Sequence, residues 1–249
     1  MAAIQHLNQA PVIEAILGFQ ADASKAWDVD AVRIGLADRF PDFPEVQEQR
    51  MFENQISLAP GKDPETSTKV HPVEAFILRR ADQSAAVQIR RDGFAFSQLQ
   101  PYPDWNVFVS TALEQWKIFA EWLGVEAPFS VFIRFINRVS YPLDGFKLSK
   151  YFENPPLPPT GTNWAFRFFR DHRVYFPESG NFLVDSAFST AGDSDSGKSV
   201  DFLLDLTISP SQSLAESGDS LDRLLPEMRR LKNEAFFSTF TEAGLEPYH

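Results

Sequence analysis

Cysteine is absent from the 249 residues, which excludes disulfides and thiolate metal sites and fits a reducing compartment. Histidine is nearly as scarce: His6, His71, His172 and His249 are scattered, with no H-x-x-x-H or other ligand spacing, so no metal site is expected. Neither G-x-S-x-G nor a cysteine nucleophile occurs, and the chain is read as having no conventional active site and no cofactor. Carboxylates could still converge in space, which linear spacing does not reveal. Long apolar runs are missing too: no segment reaches the roughly 18 residues of a membrane span. The opening MAAIQHLNQAPVIEAILGFQ has neither a basic region nor a long apolar core, so a cytoplasmic protein without membrane contacts is expected. Positive charge is in deficit, with 23 Lys and Arg against 34 Asp and Glu and a formal net charge of −11. That field disfavours nucleic acid as a partner and suits a basic protein surface.

Apolar residues are plentiful, 43% of the chain including 24 Phe, enough for a large core. Pro11 to Gln20 alternates as a strand, placing Ile13, Ala15, Leu17 and Phe19 on one face and Glu14 on the other. A short helix carrying Val32, Leu36 and Phe40 follows Asp30 and ends at Pro41 and Pro44. Strands are expected at Phe52 to Leu58, Val73 to Arg79, Ala85 to Arg90 and Phe94 to Leu99. From Trp105 to Leu123 apolar residues recur at spacings of three and four, predicting a long helix capped by Asp104 and closed by Gly124.

The second half repeats this order. A strand over Phe129 to Ser140 precedes a short helix within FKLSKYFENPPLP, from Phe146 to Pro158. Strands are expected at Trp164 to Phe169, Val174 to Phe176, Phe182 to Phe188 and Val200 to Ile208, before a last helix striped by Leu221, Leu224, Leu225, Met228, Leu231, Ala235 and Phe236. The expected fold is α+β, with two closely packed tandem halves, residues 1–124 and 125–249, each running strand, short helix, antiparallel strands, long helix. Such a unit is helix-grip or TATA-binding-protein-like, with both long helices on one side of the sheet.

The segments PVIEAILGFQ, FIRFINRVSYP, VDFLLDLTI and LKNEAFFSTFTEAGL, in this order and spacing, resemble an uncharacterised, sporadically distributed bacterial family of about this length. The resemblance implies fold and boundaries more than activity, since that family brings no biochemical function with it.

Two constellations could carry function. On the strand FSVFIRFINRVS, Arg134 and Arg138 share the face away from the apolar residues, and two arginines there can grip carboxylates or phosphates. They can equally pair with Asp201 and Asp205, or with Glu14, and these five residues mark the expected binding face. The second is Gly192-Asp-Ser-Asp-Ser-Gly197-Lys198-Ser199, which matches the phosphate-binding pattern G-x-x-x-x-G-K-S. A true phosphate loop opens a helix, whereas the residues from Val200 onward alternate as a strand. The segment is therefore read first as a hairpin loop. Trp105, Trp116, Trp122 and Trp164 sit at core periodicities, with an aromatic stacking platform as the alternative.

The leading functional reading is a non-catalytic protein-binding module, such as the regulatory or neutralising member of a bacterial toxin–antitoxin or defence operon. A small-ligand sensor with a closed, apolar helix-grip cavity is the alternative, and nucleotide binding through Gly192, Gly197, Lys198 and Ser199 the third. Oligomeric state is not legible.

Overall fold

The computed structural model describes residues 7–57, 65–155, 161, 168–178, 180–193 and 198–249. Its strands are β1 (Val12–Gln20), β2 (Glu45–Ser57), β3 (Glu65–Arg79), β4 (Ala85–Arg90), β5 (Gly93–Leu99), β6 (Ser130–Pro142), β7 (Arg170–Tyr175), β8 (Phe182–Asp193) and β9 (Ser199–Pro210). The helices are α1 (Val29–Arg39), α2 (Trp105–Leu123), α3 (Leu148–Tyr151), α4 (Leu214–Ser217), α5 (Leu221–Phe237) and α6 (Glu242–Leu245), with a final 3₁₀ turn at Glu246–Tyr248.

The strands form one antiparallel sheet in the order β2-β3-β4-β5-β1-β6-β9-β8-β7. The first strand of each half, β1 or β6, lies at the centre, and the later strands of that half stack outward in reverse chain order. Two separate sheets would leave the β1 and β6 edges open; pairing Leu17 with Ile133 and Phe19 with Val131 closes both. The antiparallel strands expected in each half thus join in one continuous sheet and do not form one sheet per half.

Both long helices cover the same face. Phe19 of β1 stacks on Trp116 of α2 with ring centroids 4.4 Å apart. Phe135 of β6 meets Trp105 and Phe108 of α2 and lies beneath Lys232 of α5. Helix α2 has the bounds its periodicity predicts: Asp104 accepts hydrogen bonds from the amides of Asn106 and Val107 at 2.7 and 3.0 Å, and Gly124 takes the left-handed conformation at φ 63°. Each buried phenylalanine contributes about 2 kcal/mol by removal from water, and Phe19, Phe94, Phe96, Phe108, Phe119, Phe135 and Phe202 are all sealed into this core.

Several local expectations are corrected. The β1–β6 register shifts between Val12 and Glu14, so Ile13 is a bulged residue and Val12, opposite Asn137, is buried in its place. Helix α1 begins at Val29 under an Asp28 cap, which puts Asp30 inside its first turn. The short helix of the second half is confined to Leu148–Tyr151. The strand expected over Trp164 to Phe169 lies mostly outside the described residues, and Phe168 and Phe169 at its end are not in a strand.

Candidate functional site

The register places the five expected face residues together, on the side of the sheet away from the helices. Ile16, Arg134, Thr207 and Asp185 occupy one rung across β1, β6, β9 and β8, and Glu14, Ile136, Asp205 and Ala187 the next. Charges therefore alternate on the diagonals. Arg134 donates from Nε and Nη2 to Asp205 at 2.8 and 2.5 Å, a two-pronged pair. Arg138 donates from Nε to Oδ2 of Asp201 at 3.0 Å, and its Nη2 makes a second contact with the same oxygen. On the outer strands His172 Nε2 lies 2.8 Å from Oδ1 of Asp185. The Arg134 guanidinium is held above its usual range, first by the hydrogen bonds it donates to Asp205 and then, against the opposing effect of burial, by the nearby charges of Asp205, Glu14 and Asp185. Glu14 itself makes no ion pair among the described residues. The arginines are thus engaged by aspartates of the same sheet, and the ladder locks the β6–β9 register.

Asp201 is the most constrained member, with a side chain only 7% exposed against 54% for Arg138. Its Oδ1 is buried without a hydrogen-bond partner. Burial pushes its carboxyl up, but hydrogen bonds from Ser140 and Arg138 and the charge of Arg138 outweigh this and hold it below the usual carboxylate range. A depressed folded-state pKa stabilises the fold above the unfolded value, near pH 4, and that contribution disappears as pH falls through the folded one. Asp201→Asn is expected to cost about 1–2 kcal/mol at pH 7, because Arg138 loses its partner yet remains hydrated. Urea titrations from pH 7 to pH 2.5 should show the variant and wild-type curves converging in acid; a constant gap would assign the loss to packing.

The Gly192–Ser199 segment does not open a helix. Gly192 and Asp193 end β8, Ser199 begins β9, and the two strands pair directly. Gly197 lies outside the described residues. With a strand following Lys198, the donors of a helix N-terminus are not supplied there.

A cleft of about 760 Å³ opens between α5 and the inner face of the outer strands β7 and β8. Its floor is apolar, built from Phe152, Val184, Phe188, Leu204 and Leu231, while Asp171, Arg173, Arg230 and Glu234 stand among its walls. Arg173 pairs with Asp171 at 2.6 Å, and Arg230 with Glu227 and Glu234 at 2.7 Å each. The charged walls and open side distinguish this cleft from the closed apolar cavity expected for a ligand sensor. Among the described residues no cluster of three or more His, Asp or Glu side chains is placed to hold a metal ion. No described helix is long and apolar enough to cross a membrane.

The molecule also has a projecting arm. Strand β4 pairs with Ala75–Arg79 of β3, so beyond that point β2 and β3 pair only with each other among the described residues, from Arg50–Val73 out to Ser57–Glu65. Met51, Phe52 and Val70 on this ribbon are 54%, 61% and 52% exposed. No protein-family model matches the chain, and no curated protein does. The class that fold and surface define is an α+β protein with a single central antiparallel sheet, helices on one face and a free two-stranded arm.

Proposed function

We propose that this protein is a non-catalytic protein-binding module whose partner docks on the β2–β3 ribbon. The observation that carries the reading is the ribbon itself: two strands without a third have little stability of their own, and among the described residues this pair leaves Met51, Phe52 and Val70 more than half exposed. Apolar side chains clustered on a projecting element mark a docking surface, and a strand edge adds backbone donors and acceptors for a partner to pair with. The net charge of −11 favours a basic partner. The role suited to such a module is the regulatory or neutralising member of a bacterial toxin–antitoxin or defence operon, acting in the cytoplasm. Residues 1–124 and 125–249 are read as pseudo-repeats of a helix-grip type, with the ribbon as an elaboration of the first.

Purification of the untagged protein expressed from its own operon should yield a stoichiometric complex. Changing Met51, Phe52 and Val70 together to serine should weaken that complex at least ~10-fold and leave the melting temperature nearly unchanged, because exposed positions contribute little to stability. A monodisperse wild-type protein that retains no operon product would overturn the reading. A second reading, a small-ligand sensor, would use the cleft under α5 as an open, charge-walled site in place of the expected closed cavity, since its volume and apolar floor suit a drug-sized molecule.

A further inference from the structure

Helix α2 rests mainly on β1 and β5, and α5 on β8 and β9, so the central strand β6 runs beneath the gap between them. The gap is bridged by side chains. Phe135 forms its floor, with the Trp105 ring stacked nearby at 6.3 Å and an interplanar angle of 20°. Tyr102 closes one side, its ring 5.7 Å from Phe135 in an edge-on arrangement. From α5 the Lys232 ammonium sits 4.5 Å above the Phe135 ring, and the Arg229 guanidinium 5.6 Å from the Trp105 ring.

These cations are an anomaly in an acidic protein. Among the described residues neither Arg229 nor Lys232 has a carboxylate partner, although 34 Asp and Glu are present in the chain. The Tyr102 hydroxyl likewise makes no hydrogen bond among them. Asp104 acts on Tyr102 through its charge, and its Oδ1 accepts from the first amides of α2, but it forms no ion pair with either cation. Desolvation pushes the Lys232 pKa down to about 8, and the charge of Arg229 pushes in the same direction. Tyr102 is moved up, first by burial and secondarily by Asp104, against the pull of Arg229. Cation–π attraction offsets part of the cost of holding two like charges three residues apart in a half-buried setting, but it supplies no counter-charge. Three donors line the gap, and among the described residues none of them has a hydrogen-bonded or ion-paired acceptor.

We propose that the trough between α2 and α5 is an oxyanion-binding site, with Lys232, Arg229 and Tyr102 as donors and the half-buried Trp105 ring as an apolar flank above the sealed Phe135. The group it fits is a carboxylate or phosphate carried on a small molecule with a flat apolar body. An ammonium and a guanidinium one helical turn apart match the oxygens of such a group, and the half-buried Trp105 ring offers a flat apolar surface to the remainder of the molecule. This site is separate from the ribbon and stands without the protein-binding reading.

The test is thermal melting at constant ionic strength, with chloride replaced in one arm by inorganic phosphate and in another by benzoate. Wild type should gain about 3 °C in at least one arm, because a ligand bound only by the folded state raises the melting temperature. A gain with phosphate alone assigns a phosphorylated ligand, and a gain with benzoate alone an aromatic carboxylate. Lys232→Met should melt no lower than wild type in chloride and should lose the gain. An equal gain in both proteins, or none in wild type, overturns the site. Should Lys232→Met fail to fold, reductive methylation of wild type keeps the proposal testable. In that reaction the neutral amine adds to formaldehyde with loss of water, and cyanoborohydride delivers hydride to the imine carbon. Mass spectrometry should find Lys232 protected by the effective anion while the exposed Lys117 is modified at an unchanged rate; equal modification of Lys232 with and without the anion overturns the site.

Discussion

Replacing Phe135 with alanine is expected to lower folding stability by about 4 kcal/mol and the melting temperature by roughly 10 °C. Phe135 is fully buried on the central strand β6, and its ring touches Tyr102, Trp105 and Phe108 from the α2 side. Truncation removes the apolar surface of a phenyl group and leaves a void beneath side chains of two different helices, so neither helix alone can collapse into it. It also strips Lys232 of the ring over which its ammonium is held. Urea unfolding should show a lower midpoint with an unchanged slope, the signature of a destabilised but intact native state. A loss below about 1 kcal/mol would mean that the helices close over the gap readily, which the close packing of protein interiors argues against.

The second large effect is expected at the C-terminal clasp, where Gly244→Ala should cost about 3 kcal/mol. Gly244 is buried, and a β-carbon there would collide with the backbone carbonyl of Tyr151, an atom that cannot swing aside. The surrounding hydrogen bonds hold that geometry. Tyr141 donates through its hydroxyl to the Gly244 carbonyl at 2.8 Å, the Thr241 hydroxyl donates to the Lys150 carbonyl at 2.6 Å, and the Thr241 amide donates to the Tyr151 carbonyl at 3.1 Å. Relief therefore requires α6 to move off α3, exposing Phe240 and Leu245, both buried in the native chain. Limited proteolysis should cut Gly244→Ala after Phe237 far sooner than wild type. Tyr141→Phe, which leaves the Gly244 carbonyl unpaired without any clash, should lose only about 1–2 kcal/mol. If the two variants proved equally stable, the clash would not be what limits the site.

Particular residues show how far the sequence carries. The nineteen positions of α2 were legible because the apolar spacing, the Asp104 cap and the Gly124 stop all agree, and local agreement of this kind rarely misleads. The side of the sheet taken by Arg134, Arg138, Asp201 and Asp205 followed from parity alone, since strand side chains alternate. Which acid meets which arginine did not, because the choice among Asp201, Asp205 and Glu14 depends on a register spanning about 70 residues of chain. The bulge at Ile13 leaves no mark in an apolar run where both faces read alike. Strand β2 begins at Glu45, seven residues before the expected start at Phe52, because EVQEQRMF lies on an uncovered ribbon and burial imposes no alternation there. Of β7 only the end at Val174 and Tyr175 was legible, for a similar reason: its first residues, Arg170 to Arg173, are polar and largely exposed. The cleft draws its walls from β7, β8 and α5, and Arg229 and Lys232 fall on the polar flank of the α5 stripe, so neither site has a linear signature.

Backbone hydrogen exchange across Arg50–Ser57 and Glu65–Val73 separates the proposed docking ribbon from the rest of the surface. In the protein alone these amides should exchange within seconds to minutes, since among the described residues no third strand pairs with the ribbon. In the complex purified from the native operon, exchange at Met51, Phe52 and Val70 and their neighbours should slow at least ~100-fold, while β1 and β6 at the sheet centre remain unchanged. Protection that appears elsewhere on the molecule and leaves Arg50–Ser57 and Glu65–Val73 as fast as in the free protein would contradict the account.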